Sequence, residues 1–383
     1  EQAAAVVNLD EAEFSVCVNG LSWEKVFDKI WSPRFDPAGQ MTAIVSEAGE
    51  WTLAVDGQSW EHKFGYVWGV MFSPNGESIA AAIQQDMTYG MVRNDMPWEK
   101  TYSNLTNPAI SPDGSKTSAA VQVIEFAECE IHKFQEGAYT AAADGTVWDC
   151  EFVNVWKTAL SPDGQKLAAE VRLNLYDYTI AVDGRPWEQV YDCVWEPIFH
   201  PSDNTVTAPV RINGKWTLAR DSEVVWPRRF VQLWNHRYSP DGDHLAAIVA
   251  PKFGCWTVAV DGQPWPITFN DMVVDIVFSP DGRRVAALSK NNGRWSVCVD
   301  GKKWRHDFSM AAPPVFCPQS SHVASKTEVN GRYSIAVDDF LWGREFDMVW
   351  DPVFSPEGDK LMVCTVDAGK VVRHVIKVND IRQ

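Results

Sequence analysis

Long apolar runs are missing from this sequence: no stretch approaches the roughly 18 consecutive apolar residues that a membrane-spanning helix needs. Basic residues are scarce as well, 34 Lys and Arg against 51 Asp and Glu, for a formal charge of -17 at pH 7. A nucleic-acid surface carries a basic footprint and anionic lipid repels an acidic protein, so neither partner fits; a positively charged protein partner does. Paired cysteines are absent. Cys17, Cys129, Cys150, Cys193, Cys255, Cys298, Cys317 and Cys364 contain no C-x-x-C, which leaves out haem attachment and ferredoxin-type clusters. Scattered singly along a chain of 383 residues, they read as small core residues of a reducing compartment, and so favour the cytoplasm.

Catalytic signatures are missing too. There is no G-x-S-x-G, no P-loop, no G-x-G-x-x-G and no H-E-x-x-H. The eight histidines (His62, His132, His200, His236, His244, His306, His322 and His374) show no metal-ligand spacing. The reading is therefore of a protein that is not an enzyme, with no catalytic residue, no cofactor and no metal of its own. A site assembled from distant repeats at a central channel, with His236 as one candidate, is the competing reading.

What the sequence has is a repeat. Pro-Asp-Gly-like turns sit at Pro37, Pro74, Pro112, Pro162, Pro201, Pro240, Pro280, Pro318 and Pro356, with steps of 37 to 40 residues apart from one step of 50. A tryptophan follows an Asp-Gly-like turn at Trp23, Trp60, Trp98, Trp148, Trp187, Trp226, Trp265, Trp304 and Trp342, on the same beat and with the same long step. Two independent markers in one register mean tiled units.

One unit parses readily. Asp275 to Phe278 reads as a strand, stopped by Ser279-Pro280-Asp281-Gly282, where Pro presets the first turn dihedral and Gly supplies the positive one. Val285 to Leu288 reads as a small apolar strand, and Trp295 to Val299 alternates as a half-buried third strand. Asp300-Gly301 makes a hairpin turn, and Trp304 to Phe308 is expected to form the fourth strand. Four short antiparallel strands per roughly 39 residues make a propeller blade. The expected fold is all-β, a β-propeller of about ten four-stranded WD-repeat-like blades over residues 1–383 as a single domain, more blades than the usual four to eight. Two smaller rings or an open array are alternatives.

All 19 tryptophans fall in register. Besides the nine above, Trp31, Trp68, Trp156, Trp195, Trp234 and Trp350 are expected just before first strands, and Trp51, Trp216, Trp256 and Trp295 begin third strands. Placement in register makes packing between blades their expected role. The second strand of each unit, as at Ala80-Ala81 or Ala246-Ala247, is small enough to let blades approach closely.

By register, Ala3 to Val7 is a second strand, so the chain is expected to begin inside a blade, with further sequence upstream of Glu1. Leu361 to Val366 and Arg373 to Val378 are second and third strands of a last unit whose fourth strand could come from upstream. The long step carries an insertion at about 122–138. Alternation at Val123, Glu125, Glu128 and Glu130 resembles an extended hairpin, and Ile124, Phe126, Ile131 and Phe134 are the candidate partner-binding residues.

The unit Phe278-Ser279-Pro280-Asp281-Gly282-Arg283-Arg284-Val285-Ala286-Ala287 resembles the propellers of the TolB type. The added Val-Asp-Gly-x-x-Trp element, as at Val182 to Trp187, and the tryptophan density over the whole chain resemble the tryptophan-rich subunit of the transmembrane tetraheme-cytochrome complex of sulfate-reducing bacteria. That resemblance implies a cofactor-free scaffold subunit of a membrane-associated electron-transfer complex. It would sit in the cytoplasm at the inner-membrane face and dock on an iron–sulfur subunit, with a cytochrome b and a tetraheme cytochrome in the same assembly. The alternatives are a periplasmic interaction propeller of the TolB type and a propeller with a ligand-binding or hydrolytic site at its channel.

Overall fold

A computed structural model describes residues 2–127 and 129–381; Glu128, in the expected hairpin, lies outside them. Forty-one strands and two short helices occur among the described residues, and the strands form ten antiparallel sheets. The fold class is all-β, that of a β-propeller of about ten blades. Internal contacts group the chain into two compact units, Glu1–Phe199 with Asn204–Ala208 and His200–Asp203 with Pro209–Gln383.

A representative blade has strands Met272–Phe278, Val285–Asn291, Arg294–Val299 and Lys302–Lys303, paired antiparallel in chain order. Its turns are built from side chains. In Ser279-Pro280-Asp281-Gly282, the Ser279 hydroxyl donates to Asp281 Oδ1 at 2.5 Å and accepts the Arg284 N–H at 2.9 Å. The same pair of bonds recurs around Ser111, Ser161 and Ser239. Asp300 stands at φ 49° and its carboxylate accepts the Val285 N–H at 2.8 Å, tying the third-to-fourth turn to the start of the second strand. Asp56, Asp144, Asp183, Asp261 and Asp338 do the same in their blades. Asp suits this place because it tolerates the left-handed region and bonds its local backbone.

The fourth strand differs from expectation. It is two residues long and ends before the tryptophan; the Trp304 N–H still donates to Val297 O at 2.9 Å, and after it the segment leaves the ladder until a bridge from Phe308 to Trp295. The detour is stable because a third-strand hydroxyl satisfies the carbonyl it would orphan: Ser296 Oγ donates to His306 O at 2.9 Å. Thr52, Thr140, Thr179 and Thr257 make the equivalent bond. The first strands also start earlier than expected, so Trp31, Trp68, Trp156 and Trp234 lie inside them. The ladder is then irregular just after the tryptophan, as between Trp31 and Arg34 and between Trp68 and Met71, where Ser32 and Gly69 take positive φ. His236 is correspondingly inside the strand Gln232–Tyr238, and buried.

The first sheet holds Ala4–Asp10, Glu13–Val18 and Leu21–Ser22. In the last, the third-strand equivalent is Lys370–Lys377, and the chain turns helical at Val378–Ile381 rather than continuing the strand through Val378. The insertion departs from the expected hairpin as well. Strand pairing stops at Gln122 with Tyr139, and Ile131–Glu136 is a helix. His132, Lys133, Gln135 and Glu136 interrupt the two-residue period, the Glu130 carboxylate accepts the Ala127 N–H at 3.0 Å ahead of the turn, and Gly137 at φ 120° ends it.

The core is distributed between successive sheets. Ile44, Trp51 and Leu53 of one blade pack with Phe64, Val67, Ile79 and Ala81, which reach into the next. Alanines at the second strands, such as Ala81, Ala169 and Ala287, are fully buried, which is what close approach of two sheets requires. Among the described residues no helix is long and apolar enough to cross a membrane.

Candidate functional site

The tryptophans after the Asp-Gly turns divide by burial. Trp98, Trp226 and Trp304 are buried, and Trp23, Trp60, Trp148, Trp187, Trp265 and Trp342 are half-buried. Several meet the glycine of the following blade's turn. A Cβ at Gly57 would stand 3.0 Å from Trp23 Cγ, at Gly145 3.1 Å from Trp98 Cβ, at Gly262 3.3 Å from Trp226 Cγ, and at Gly301 3.2 Å from Trp265 Cγ. These glycines also hold positive φ, so both the backbone and the indole face demand them.

Two blades solve the same place with charge. Asp95 and Asp339 replace the glycine at φ 65° and 70°. Asp95 accepts the N–H groups of Glu61 and His62, and His62 Nδ1 lies 3.1 Å from its carboxylate. Asp339 accepts the N–H groups of Arg305 and His306, with Arg305 Nε at 2.8 Å and His306 Nδ1 at 3.0 Å. Burial alone would raise the Asp339 carboxyl, but the bonds from Arg305 and His306 outweigh it and hold it below the usual range. Asp339→Gly is therefore expected to be milder than Asp339→Ala by about 1 kcal/mol, because glycine occupies this turn elsewhere and alanine at positive φ is strained. Urea unfolding of the two variants checks it; an equal loss in both would place the whole effect in the lost bonds.

The four candidate partner-binding residues lie together on the insertion. Phe126 and Phe134 face each other with ring centroids 6.1 Å apart, and Phe134 meets Tyr139 edge-on at 6.5 Å. With Ala127 and Ile131 they line a cleft of about 270 Å³. Ile131 is 63% exposed and Ile124 38%. Around them Glu125 and Glu136 are exposed, whereas Glu130 pairs with Lys133 at 2.8 Å. The neighbouring second-to-third-strand hairpins of the same unit expose Met87 and Tyr176. The result is an apolar surface with an acidic margin. Cys129, on this insertion, is exposed rather than a core residue.

Two further features escaped the sequence reading. One is Glu170 on the strand Leu167–Arg172, where other blades place Ile44, Ala82, Ile248 or Leu288. Burial pushes its carboxyl up to about 7, aided by the Glu196 charge and opposed by Lys157, which itself lies 3.8 Å from Glu196. The signal was the acid itself in a column that is mostly aliphatic, though Lys326 occupies the same place in another blade. The other is a row of aromatic rings. Trp31 and Tyr66 are partly exposed and lie 6.1 Å apart; Tyr66 stacks on Trp68 at 6.0 Å, and Trp68 meets Tyr89 edge-on at 6.1 Å. Tyr66 and Trp68 are two apart in one strand and so share a face.

Among the described residues no group of three or more His, Cys, Asp or Glu has metal-holding geometry, and the eight cysteines are free. No family model matches the chain, and no curated protein does. Solved structures do. One described as the crystal structure of the eukaryotic initiation factor is 12% identical, with a TM-score of 0.51 over 85% of this chain and 90% of that one. At that identity the likeness is one of fold alone.

Proposed function

We propose that this chain is a non-catalytic scaffold subunit of a membrane-associated respiratory electron-transfer complex, docking on the cytoplasmic iron–sulfur subunit at the inner-membrane face. A cytochrome b and a tetraheme cytochrome belong to the same assembly. The repeat pattern carries the family side of this reading: the Val-Asp-Gly-x-x-Trp element and the 19 tryptophans resemble the tryptophan-rich subunit of such complexes. The insertion supports the docking side. It is an irregular element that gathers Phe126, Ile131 and Phe134 around an open cleft beside exposed acids. Contiguous apolar surface rimmed by polar groups marks interaction sites, and the overall charge of -17 favours a basic partner surface.

The test is purification of the native protein from membranes under mild detergent, followed by identification of what accompanies it. An iron–sulfur subunit and haem proteins in stoichiometric yield are expected. Ile131→Asp is expected to lower their recovery about 10-fold or more while leaving the melting curve of the free chain unchanged, since Ile131 is exposed. Recovery of the chain as a lone monomer would remove the proposal. Full recovery with Ile131→Asp would move the docking surface elsewhere.

A further inference from the structure

Among the described residues the last sheet lacks the outer strand that the other nine sheets carry: Lys370–Lys377 pairs with Lys360–Asp367 on one side and with no strand on the other. The features that set that strand elsewhere are missing too. In the preceding sheet Asp338 makes the turn into it, accepting the Val323 N–H at 2.9 Å, and the Ser334 hydroxyl donates to Arg344 O at 2.8 Å to support its detour. The register puts Ile376 and Val372 at those two places, and the ladder runs on without a turn, Leu361 opposite Ile376 and Lys360 opposite Lys377. The result is an unbroken edge of eight residues. In a complete sheet that edge is bonded at alternating places: Trp295 exchanges backbone bonds with Phe308, and Val299 pairs with Lys302. Val371 and Val375 hold those places here. They are 71% and 68% exposed, whereas His374 and Ile376, on the other face, pack toward the preceding sheet, His374 with Trp342 and Phe346 at 5.4 and 5.3 Å.

An open sheet edge offers N–H and C=O groups in a row, and an extended chain is what satisfies them together. Charge narrows that chain. The two strands carry Lys360, Lys370, Arg373 and Lys377 against Asp367, in a protein of formal charge -17. Lys360 and Lys377 stand directly opposite each other, an arrangement that repels. Asp367, opposite Lys370, is shared with Arg332 at 3.7 Å, and Asp359, next to Lys360, accepts the Ser355 hydroxyl at 3.0 Å. Lysines at an edge turn away strands of like charge and leave acidic ones. We infer that the outer edge of Lys370–Lys377 receives an extended acidic segment of a partner protein as its fourth strand, the segment's backbone bonding Val371 and Val375 and its carboxylates meeting Lys370 and Lys377. The same strand of a second copy would bring like charges together instead. The edge belongs to the second compact unit and the insertion to the first, so the inference does not rest on the docking proposed above.

The experiment is fluorescence anisotropy with a dye-labelled decapeptide of alternating glutamate and valine on the full chain. Saturable binding is expected, with a lysine–valine peptide of equal length failing to bind. The double variant Lys370→Glu with Lys377→Glu, both at exposed positions, is expected to weaken binding about 10-fold or more with its melting curve unchanged. Methylating every backbone nitrogen of the acidic peptide keeps its charge and removes its strand donors, and is expected to abolish binding. Hydrogen exchange across residues 370–377 is expected to slow about 10-fold or more when the unmethylated peptide is added. Absence of binding, or equal binding by the lysine or the methylated peptide, would overturn the inference. So would Val371 and Val375 amides protected before any peptide is added, as an outer strand from this chain or from a second copy would make them.

Discussion

Glu170→Gln is expected to stabilise the protein by about 3 kcal/mol at pH 8 and by less than about 1 kcal/mol at pH 5. The reasoning is one of linkage. The Glu170 carboxyl is held at about 7 in the folded chain, chiefly by burial and secondarily by Glu196, whereas an unfolded glutamate ionises near 4.5. The folded state therefore prefers the protonated acid. Its preference does no harm below the unfolded value, where both states carry the proton. As pH rises from about 4.5 through 7 the unfolded chain ionises first, and folding bears a growing penalty that is complete above 7. Glutamine keeps the shape and removes the charge, so its benefit follows the same curve. Urea unfolding of both proteins between pH 5 and 8 checks the prediction. Lys157→Met should enlarge the difference, because Lys157 favours the charged form, and Glu196→Gln should shrink it. A difference independent of pH would show that Glu170 is solvated in the folded state.

The second large effect concerns Trp98. Its ring is buried between two blades, edge-on to Tyr102 at 6.4 Å, and its Nε1 donates to Thr117 Oγ1 at 2.8 Å. Gly145 approaches from the next blade so closely that a Cβ there would stand 3.1 Å from Trp98 Cβ. Trp98→Ala is expected to cost about 3–5 kcal/mol, the range for opening a cavity of this size in a packed interior. Trp98→Phe should recover most of that, losing the bond to Thr117, which still donates to Asp144 at 3.0 Å. Gly145→Val should also destabilise, and the double variant with Trp98→Ala should lose less than the two effects added, since removing the indole frees the space valine needs. Urea unfolding with all four proteins measures the coupling. A loss below about 0.5 kcal/mol for Trp98→Ala would mean the indole does not join the blades.

Much of the fold was legible because its parts are local. Ser-Pro-Asp-Gly closes on its own side chains, as Ser279 with Asp281, and Asp300 returns to the start of its own second strand. Such bonds leave a short pattern that repeats wherever the geometry does. The misses are places where the strand period does not say how the backbone groups are satisfied. The fourth strand breaks at Trp304, and the Ser296 hydroxyl donates to the His306 carbonyl that the detour takes out of the ladder. The helix at Ile131–Glu136 replaced an expected hairpin because alternation over a few residues cannot tell a strand from a turn of helix when no partner strand is given. At the candidate surface, Ile124, Phe126, Ile131 and Phe134 stood out as apolar residues in an insertion, but the closing of Phe126, Ile131 and Phe134 around one cleft, with Ile124 outside it, is a property of the folded loop.

By itself, then, the sequence determined the blade: four antiparallel segments, the turns between them and the beat on which they recur. Those follow from dihedral limits and from hydrogen bonds within one unit. The tertiary structure alone decided what each repeated residue does once a neighbour is in place. Trp98 and Trp31 are the same side chain in equally regular settings, yet one is buried and the other 43% exposed. The Glu170 carboxyl stands near 7 because folding buries it and brings the Glu196 charge near. Exposure and desolvation are set by the surface that comes to rest against a residue, and no period along the chain encodes it.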